Sequence, residues 1–336
     1  MERKLASIRK ISDLSPIEGA DKIEVATIDG WKVVVAKDVN HKVGDLVVYC
    51  EVDSFLPIRE EFEFLRKSSH KKMGDQEGFR LKTIRLRGQL SQGLILPIHI
   101  LPFGEAFHEG QDVTEVLGIV KYEPPVPAEL AGKVKGLFPS FLRKTDEERV
   151  QNLTSEYEEY RTSDHKFYVT EKLDGSSATF YLRNGEFGVC SRNLELLETE
   201  GNTFWKVARE LDLENKMDSL GFNVCLQGEL IGEGIQGNPY KIKGQTVRFF
   251  NGFNITTQEN IPFLDFVELT QNLGLKTVPI LDFDFKLPHF VDDMLEFADN
   301  KSELNSNFDR EGVVVRSYDR TISFKSISNK FLLNEK

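Results

Sequence analysis

Two regimes of hydrophobic patterning divide the chain. Up to about residue 100, apolar residues fall in short, β-branched runs bounded by turn residues, at 23–28, 31–35, 46–52, 79–84 and 93–97. Asp29-Gly30 between the first two runs is a tight hairpin signal. Such a series predicts a small β-barrel of the OB-like type. An SH3-like barrel has the same spacing. Beyond about residue 140, strand-like runs alternate with helical periodicity, as at 204–211 and 263–273, so the second half reads as α+β. Thr145-Asp-Glu-Glu, with an acid three positions after a hydroxyl residue, predicts a capped helix start over 145–152.

Between the two regimes, Pro124, Pro125, Pro127, Gly132, Gly136 and Pro139 suggest a connecting segment. The expected organisation is therefore a domain at 1–120, a linker at 121–139 and a second domain at 140–336. No run is long and apolar enough to span a membrane, and the start of the chain lacks the apolar core of a signal peptide. Cys50, Cys190 and Cys225 are scattered without metal-ligand spacing, which fits a reducing, intracellular setting.

The formal net charge of −11 disfavours indiscriminate binding to nucleic acid. One window runs against it. Arg66, Lys67, Lys71, Lys72, Arg80, Lys82, Arg85 and Arg87 face only Asp75 and Glu77, a local excess of six positive charges. A solvated edge strand would look similar, since lysines also guard sheet edges. The reversal of sign favours a phosphate-binding strip.

The candidate chemistry centres on a strand-like run ending in Lys172-Leu-Asp174-Gly175. On extended backbone Lys172 and Asp174 share a face, and Gly175 permits a sharp turn beside a ligand. Taken alone, Lys-x-Asp-Gly also describes many solvated turns. A nucleophilic lysine needs its pKa lowered from about 10.4 by roughly 3 units, by neighbouring cations or by a metal on hard oxygen ligands. Asp174, Glu229 and Glu311, in three separate segments, are the candidate ligands. Glu311 opens an apolar strand, where an acid is costly unless bound to something.

The order of the pieces is more telling than any one of them. Lys172-x-Asp-Gly, Ser191-Arg192-Asn193, Gly228-Glu229-Leu-Ile-Gly232, Phe250-x-x-Phe253-Asn-Ile, Glu311-Gly-Val-Val-Val-Arg316 and Phe324-Lys325 follow in sequence. This series resembles the covalent nucleotidyltransferases: DNA ligases, RNA ligases and mRNA capping enzymes. The stretches beginning Ile11-Ser-Asp-Leu-Ser-Pro, Val43-Gly-Asp-Leu and Val52-Asp-Ser-Phe-Leu-Pro57 resemble the OB-like domain of the Deinococcus/Naegleria-type ATP-dependent RNA ligases.

The resemblance implies that Lys172 attacks the α-phosphate of ATP to form a lysyl-AMP. The AMP then passes to an RNA 5′-phosphate, and a 3′-hydroxyl displaces it. It assigns nucleotide contacts to Arg149, Glu171, Lys172, Arg192, Glu229, Phe250 and Lys325. Phe250 stacks on adenine in preference to Phe249 or Phe253. Asp174 and Glu311 organise Mg²⁺ or Mn²⁺, directly or through its waters. The basic window, Arg66 to Arg87, grips RNA. Where relatives carry Lys-x-Lys, Ser323 and Ile327 flank Lys325, which serves alone or with Lys330.

Eleven residues follow Lys325, too few for the C-terminal OB domain expected of a DNA ligase or capping enzyme. A catalytically inactive nucleic-acid-binding protein would have lost the nucleophile or the acids, and both are present. The expectation is therefore a monomeric ATP-dependent RNA ligase that seals 3′-hydroxyl and 5′-phosphate ends, at nicks in duplexes.

Overall fold

The computed structural model describes residues 4–102, 107–123 and 132–334. It divides into two compact units, 1–126 and 127–336. Pro124, Pro125 and Pro127 of the expected connection lie outside the described residues.

The first unit is built almost wholly of strands: β1 (Ala6–Lys10), β2 (Asp13–Pro16), β3 (Ile23–Ile28), β4 (Trp31–Ala36), β5 (Leu46–Cys50) and β6 (Ser54–Pro57). A single helical turn, α1 (Arg66–Ser69), precedes β7 (His70–Met73), β8 (Gln76–Arg80), β9 (Thr83–Leu86), β10 (Gln89–Gln92), β11 (Leu94–Pro97) and β12 (Val120–Lys121). They pair as β1-β5-β11, β2-β3-β4, β9-β10 and β12-β6-β8-β7. Alternation along β5 sends Val48 and Cys50 into one apolar cluster and Val47 and Tyr49 into another. One central strand thus serves two cores.

The run at 79–84, expected as one strand, is two. Leu81 donates its N–H to the Ser54 carbonyl and accepts the Asp53 N–H on its own carbonyl. With Leu81 buried and its backbone engaged there, the chain leaves the four-stranded sheet at Arg80 and re-enters as the β9–β10 hairpin. Such sheet switching is how small β-domains turn corners.

The second unit contains β13 (Val134–Leu137), β14 (Glu148–Arg149), α2 (Thr154–Thr162), β15 (Phe167–Lys172), β16 (Ser176–Arg183), β17 (Glu186–Cys190) and β18 (Leu194–Leu196). There follow α3 (Thr203–Glu210), α4 (Leu213–Asp218), β19 (Val224–Gly232), β20 (Gln245–Asn254), β21 (Glu259–Asn260) and α5 (Phe263–Asn272). Last come β22 (Ile280–Phe285), α6 (Val291–Ala298), β23 (Gly312–Ser317), β24 (Ser323–Ile327) and α7 (Asn329–Asn334). An antiparallel seven-stranded sheet runs β13-β18-β17-β16-β19-β20-β21, and a five-stranded sheet runs β14-β24-β23-β15-β22.

Helices α3, α4 and α5 bury one face of the larger sheet through Trp205, Leu213, Met217 and Phe266. Helices α2 and α6 cover the smaller one through Tyr157, Met294 and Ala298. Two expectations differ locally. Val134–Leu137, placed in the linker from its glycines, is an edge strand on β18. The capped helix at 145–152 is not formed there, because Glu148 and Arg149 pair in parallel with Phe324 and Lys325 and the helix begins only at Thr154. No helix among the described residues is long and apolar enough to cross a membrane.

Candidate active site

Strand β15 delivers the lysine. Its register against β23 sets Lys172 opposite Gly312, which brings Glu311 to the strand's end. There the Lys172 Nζ donates to the Glu311 Oε1 at 2.6 Å. Leu173 is buried against Ile231, Tyr240 and Val278, which pins the chain as it leaves the sheet. The Asp174 N–H donates to the Tyr240 hydroxyl oxygen at 2.5 Å.

Gly175 is required for a reason other than the one expected. Its φ lies outside the left-handed region. A Cβ there would stand 2.5 Å from the Leu230 carbonyl oxygen and 2.8 Å from the Glu229 Cγ. The missing side chain thus lets the lysine loop close on β19, the strand that carries Glu229.

Glu229 lies opposite Ser177 on one side and Arg248 on the other. On the neighbouring β20, the register skips a residue: Gln227 faces Asn251 and Gly228 faces Phe249. Phe250 is the extra residue of this bulge. A bulge re-aims its side chain, and Phe250 is half-buried while Phe249 and Phe253 are 0% and 1% exposed. The aromatic that the resemblance assigns to adenine is thus less buried than Phe249 and Phe253. Its carbonyl accepts from Arg320 at 3.3 Å, and the Arg316 guanidinium lies 5.6 Å from its ring centroid.

Charge accounts for the state of the Lys172 amine. Burial alone would pull the Lys172 amine down, but Glu311, Glu229 and Asp174 outweigh it, and the amine is held above its ordinary value. The lowering that attack requires is therefore not built into the protein alone. Burial, reinforced by Glu311 and Asp174, pushes the Glu229 carboxyl up to about 8, against the pull of Lys172 and Arg192. With the Glu229 carboxyl largely protonated below that value, Glu311 and Asp174 still set two acids against one ammonium, which suits a divalent cation. Among the described residues no three acidic, histidine or cysteine side chains converge closely enough to hold a metal directly. The geometry fits an ion held through its waters.

The phosphate-binding candidates come together towards the β14 edge of the smaller sheet, with Lys325 only two residues from the row that holds Lys172. Arg149 on β14 is directly opposite Lys325 on β24, and both are buried. Lys325 Nζ donates to Asp146 Oδ1 at 3.1 Å, and Arg192 Nη2 lies 3.3 Å from Asp146 Oδ2. Ser323, two residues before Lys325, donates its hydroxyl to Glu147. Glu147 also accepts two bonds from Arg316, at 2.6 and 3.0 Å. Lys330 is exposed on α7. Glu171 is turned away from Lys172 by strand alternation, buried, with its Oε2 accepting the Glu303 N–H at 2.8 Å.

Asp146, Glu147, Tyr240 and Arg320 carry no role in the sequence reading, and Arg316 enters it only as the end of the Glu311 motif. The first two lie in the acidic run before Arg149, which reads as a helix start. Tyr240 and Arg320 make contacts with no local pattern.

The basic window, in the first unit, is not one continuous strip. Arg66 pairs with Glu63, Lys72 with Glu77, and Arg80 with Asp53 while lying over the Tyr122 ring. Lys67 and Lys71 are exposed on α1 and β7, and Lys82 lies between β8 and β9. Arg85 and Arg87 are exposed at the β9–β10 hairpin beside the exposed apolar side chains of Ile84 and Leu86.

Comparison with known proteins agrees with this architecture. Residues 5–98 match an OB-fold domain family, and residues 165–331 match the RNA ligase family. Among curated proteins no significant match is found. Among solved structures, Naegleria gruberi RNA ligase with PPi is 44% identical, covering 98% of each chain, with a TM-score of 0.91. Point mutants of that ligase with ATP and Mn and with AMP and Mn align with the same identity and coverage, at TM-scores of 0.90 and 0.91. The expected α+β architecture with an N-terminal OB-fold is confirmed, and the chain belongs to the RNA ligase family.

Proposed function

We propose that this chain is an ATP-dependent RNA ligase that joins a 3′-hydroxyl to a 5′-phosphate through a lysyl-AMP, at nicks in duplexes. The observation that carries the reading is the Lys172 amine of the five-stranded sheet, set among Glu311, Asp174 and Glu229, the last from the seven-stranded sheet. A surface turn would not bring acids from two distant segments, Glu229 and Glu311, to its lysine. The solved ligase at 44% identity is described with ATP, AMP, PPi and Mn, which supports the same donor and metal here.

In the first step the amine nitrogen forms a bond to the α-phosphorus, and the bond from that phosphorus to the bridging oxygen breaks. Pyrophosphate leaves. The ammonium must give up a proton before attack, and Glu311 is the acceptor already hydrogen-bonded to it. A divalent cation, held by Asp174 and Glu311 through water, would supply positive charge that lowers the amine's pKa and neutralises the phosphate. Phe250 would stack on adenine, Glu229 would hold the ribose, and Lys325, Arg149 and Arg192 would take phosphate oxygens. Glu171 would support the base side from its buried position. Such transfer depends on positioning and charge neutralisation.

The AMP then moves to the 5′-phosphate oxygen of RNA, regenerating Lys172, and the 3′-hydroxyl expels AMP. Grip on the polynucleotide is assigned to Arg66, Lys67, Lys71, Lys72, Arg80, Lys82, Arg85 and Arg87. The exposed Arg85 and Arg87 contribute most, because Arg66, Lys72 and Arg80 already have carboxylate partners.

The test uses a duplex with one nick, carrying a labelled 5′-phosphate and either an RNA or a DNA 3′-hydroxyl strand. Sealing with transient adenylylated RNA supports the proposal, as does loss of sealing, but not of lysyl-AMP, in Arg85→Ala/Arg87→Ala. Sealing confined to single-stranded ends would contradict the nick assignment. Unchanged sealing by the double variant at every salt concentration would contradict the assigned grip.

A further inference from the structure

Asp146 joins the two sheets of the second unit through cations. Its Oδ1 accepts from Lys325 of β24, in the five-stranded sheet, and its Oδ2 pairs with Arg192, which follows β17 of the seven-stranded sheet. Neighbouring groups have other tasks. Glu147 is occupied by Arg316 and Ser323, and Arg149 sits at the Lys325 register position. A carboxylate therefore lies between the two cations assigned to nucleotide phosphates.

We propose that the Asp146 carboxylate occupies the place of a phosphate between Lys325 and Arg192, and that phosphate oxygens exchange with it when nucleotide or pyrophosphate binds. The inference rests on the adenylyl-transfer reading and adds to it a residue that tunes the phosphate subsite without contacting the reacting nitrogen.

Chemistry and burial both favour exchange. A carboxylate and a phosphate present comparable pairs of anionic oxygens to ammonium and guanidinium groups. Lys325 keeps only 11% of its side-chain surface exposed, while Asp146 keeps 38% and Arg192 52%. A buried ammonium needs an anion beside it. Asp146 supplies one in the nucleotide-free protein and, being more exposed, can swing towards solvent while Lys325 stays. Ion pairs this exposed are individually weak, so a more highly charged phosphate displaces the carboxylate. The apparent affinity for phosphate is then lowered by the fraction of time that Asp146 fills the subsite.

Calorimetry with inorganic pyrophosphate, and rates of lysyl-AMP formation over an ATP series, would compare wild type with Asp146→Asn and Asp146→Glu. Asp146→Asn should bind pyrophosphate more tightly by about 3- to 10-fold and lower the KM for ATP by a similar factor, with the gain in KM rather than kcat. Asp146→Glu, which keeps the competing charge, should not show the gain. Weaker pyrophosphate binding by Asp146→Asn would overturn the proposal and make Asp146 a strut that orients the cations. Unchanged affinity in both variants would overturn it too. If wild type forms no lysyl-AMP, the reading of Lys172 fails, while the pyrophosphate titration still decides the role of Asp146.

Discussion

The Lys172 Nζ and the Glu311 Oε1 lie 2.6 Å apart although 139 residues separate them in the chain. The contact follows from antiparallel register, since β15 ends opposite the start of β23. It joins the proposed nucleophile to an acid that favours its protonated form and, in the proposed reaction, accepts its proton.

Removing that carboxylate tests the arrangement. Glu311→Gln should cut lysyl-AMP formation by on the order of 100-fold, because both the proton acceptor and part of the cation site are lost. The reaction should not be rescued by raising pH, since a free lysine without its cation lacks charge to meet the phosphate. Quenched time courses with saturating ATP and Mn²⁺ would measure it, and a fall of less than threefold would contradict the role.

Phe250 and Phe253 make a matched pair on β20. Phe250→Ala should raise the KM for ATP by about 10-fold, the scale of one base-stacking contact, and leave the melting temperature little changed. Phe253→Ala removes a ring only 1% exposed and should cost about 3–5 kcal/mol of stability. Urea unfolding and ATP titration separate the two effects. Equal KM changes in both variants would remove Phe250 from the base site.

The site's motifs were legible because each occupies a strand or its end, where period-2 alternation says which side chains share a face. Lys172, Glu229, Phe250, Glu311 and Lys325 are found on or beside β15, β19, β20, β23 and β24. Assembly was legible only as motif order, because pairing of β15 with β23 is a long-range property. Asp146 and Glu147 fall within the expected helix start, since nothing local reveals that Glu148 and Arg149 pair with β24. Tyr240 reaches the Asp174 amide across 66 residues from a loop without periodicity. In the first unit the hairpin at Asp29 was plain, while the break after Arg80 was hidden within an apolar run.

Gly175 provides a steric test of how closely the lysine loop approaches β19. The Leu230 carbonyl that a Cβ would meet is backbone and cannot rotate away. Gly175→Ala should destabilise the protein by about 1–3 kcal/mol, as overpacking does, and impair lysyl-AMP formation by displacing Asp174 and Glu229. Thermal melts and adenylylation rates would both shift. A stable, fully active variant would show that the close approach is not needed.

Glu147 gives the fold a pH dependence of definite sign. Burial pushes its carboxyl upward, but Arg316, Ser323 and Arg320 outweigh that and hold it below the usual value. A group depressed in the folded state contributes stability that is full above its unfolded pKa and lost as pH falls through its folded pKa. Wild type should therefore lose stability as pH falls below the ordinary carboxylate range. Glu147→Gln should be weaker by about 3 kcal/mol at pH 7, because Arg316 loses a buried partner, and its stability should fall less on acidification. Urea midpoints over a pH series would show it. Identical pH slopes in the two proteins would rule the pair out as the source.

The most direct measurement of the central claim is covalent capture of the nucleotide. Wild type and Lys172→Ala would be incubated with α-labelled ATP or GTP and Mg²⁺ or Mn²⁺, then resolved by denaturing electrophoresis. Label from ATP retained by wild type and absent from Lys172→Ala is the predicted result. Label retained by the folded Lys172→Ala variant, or by neither protein, would contradict Lys172 as the nucleophile, and label from GTP in place of ATP would contradict the assigned donor.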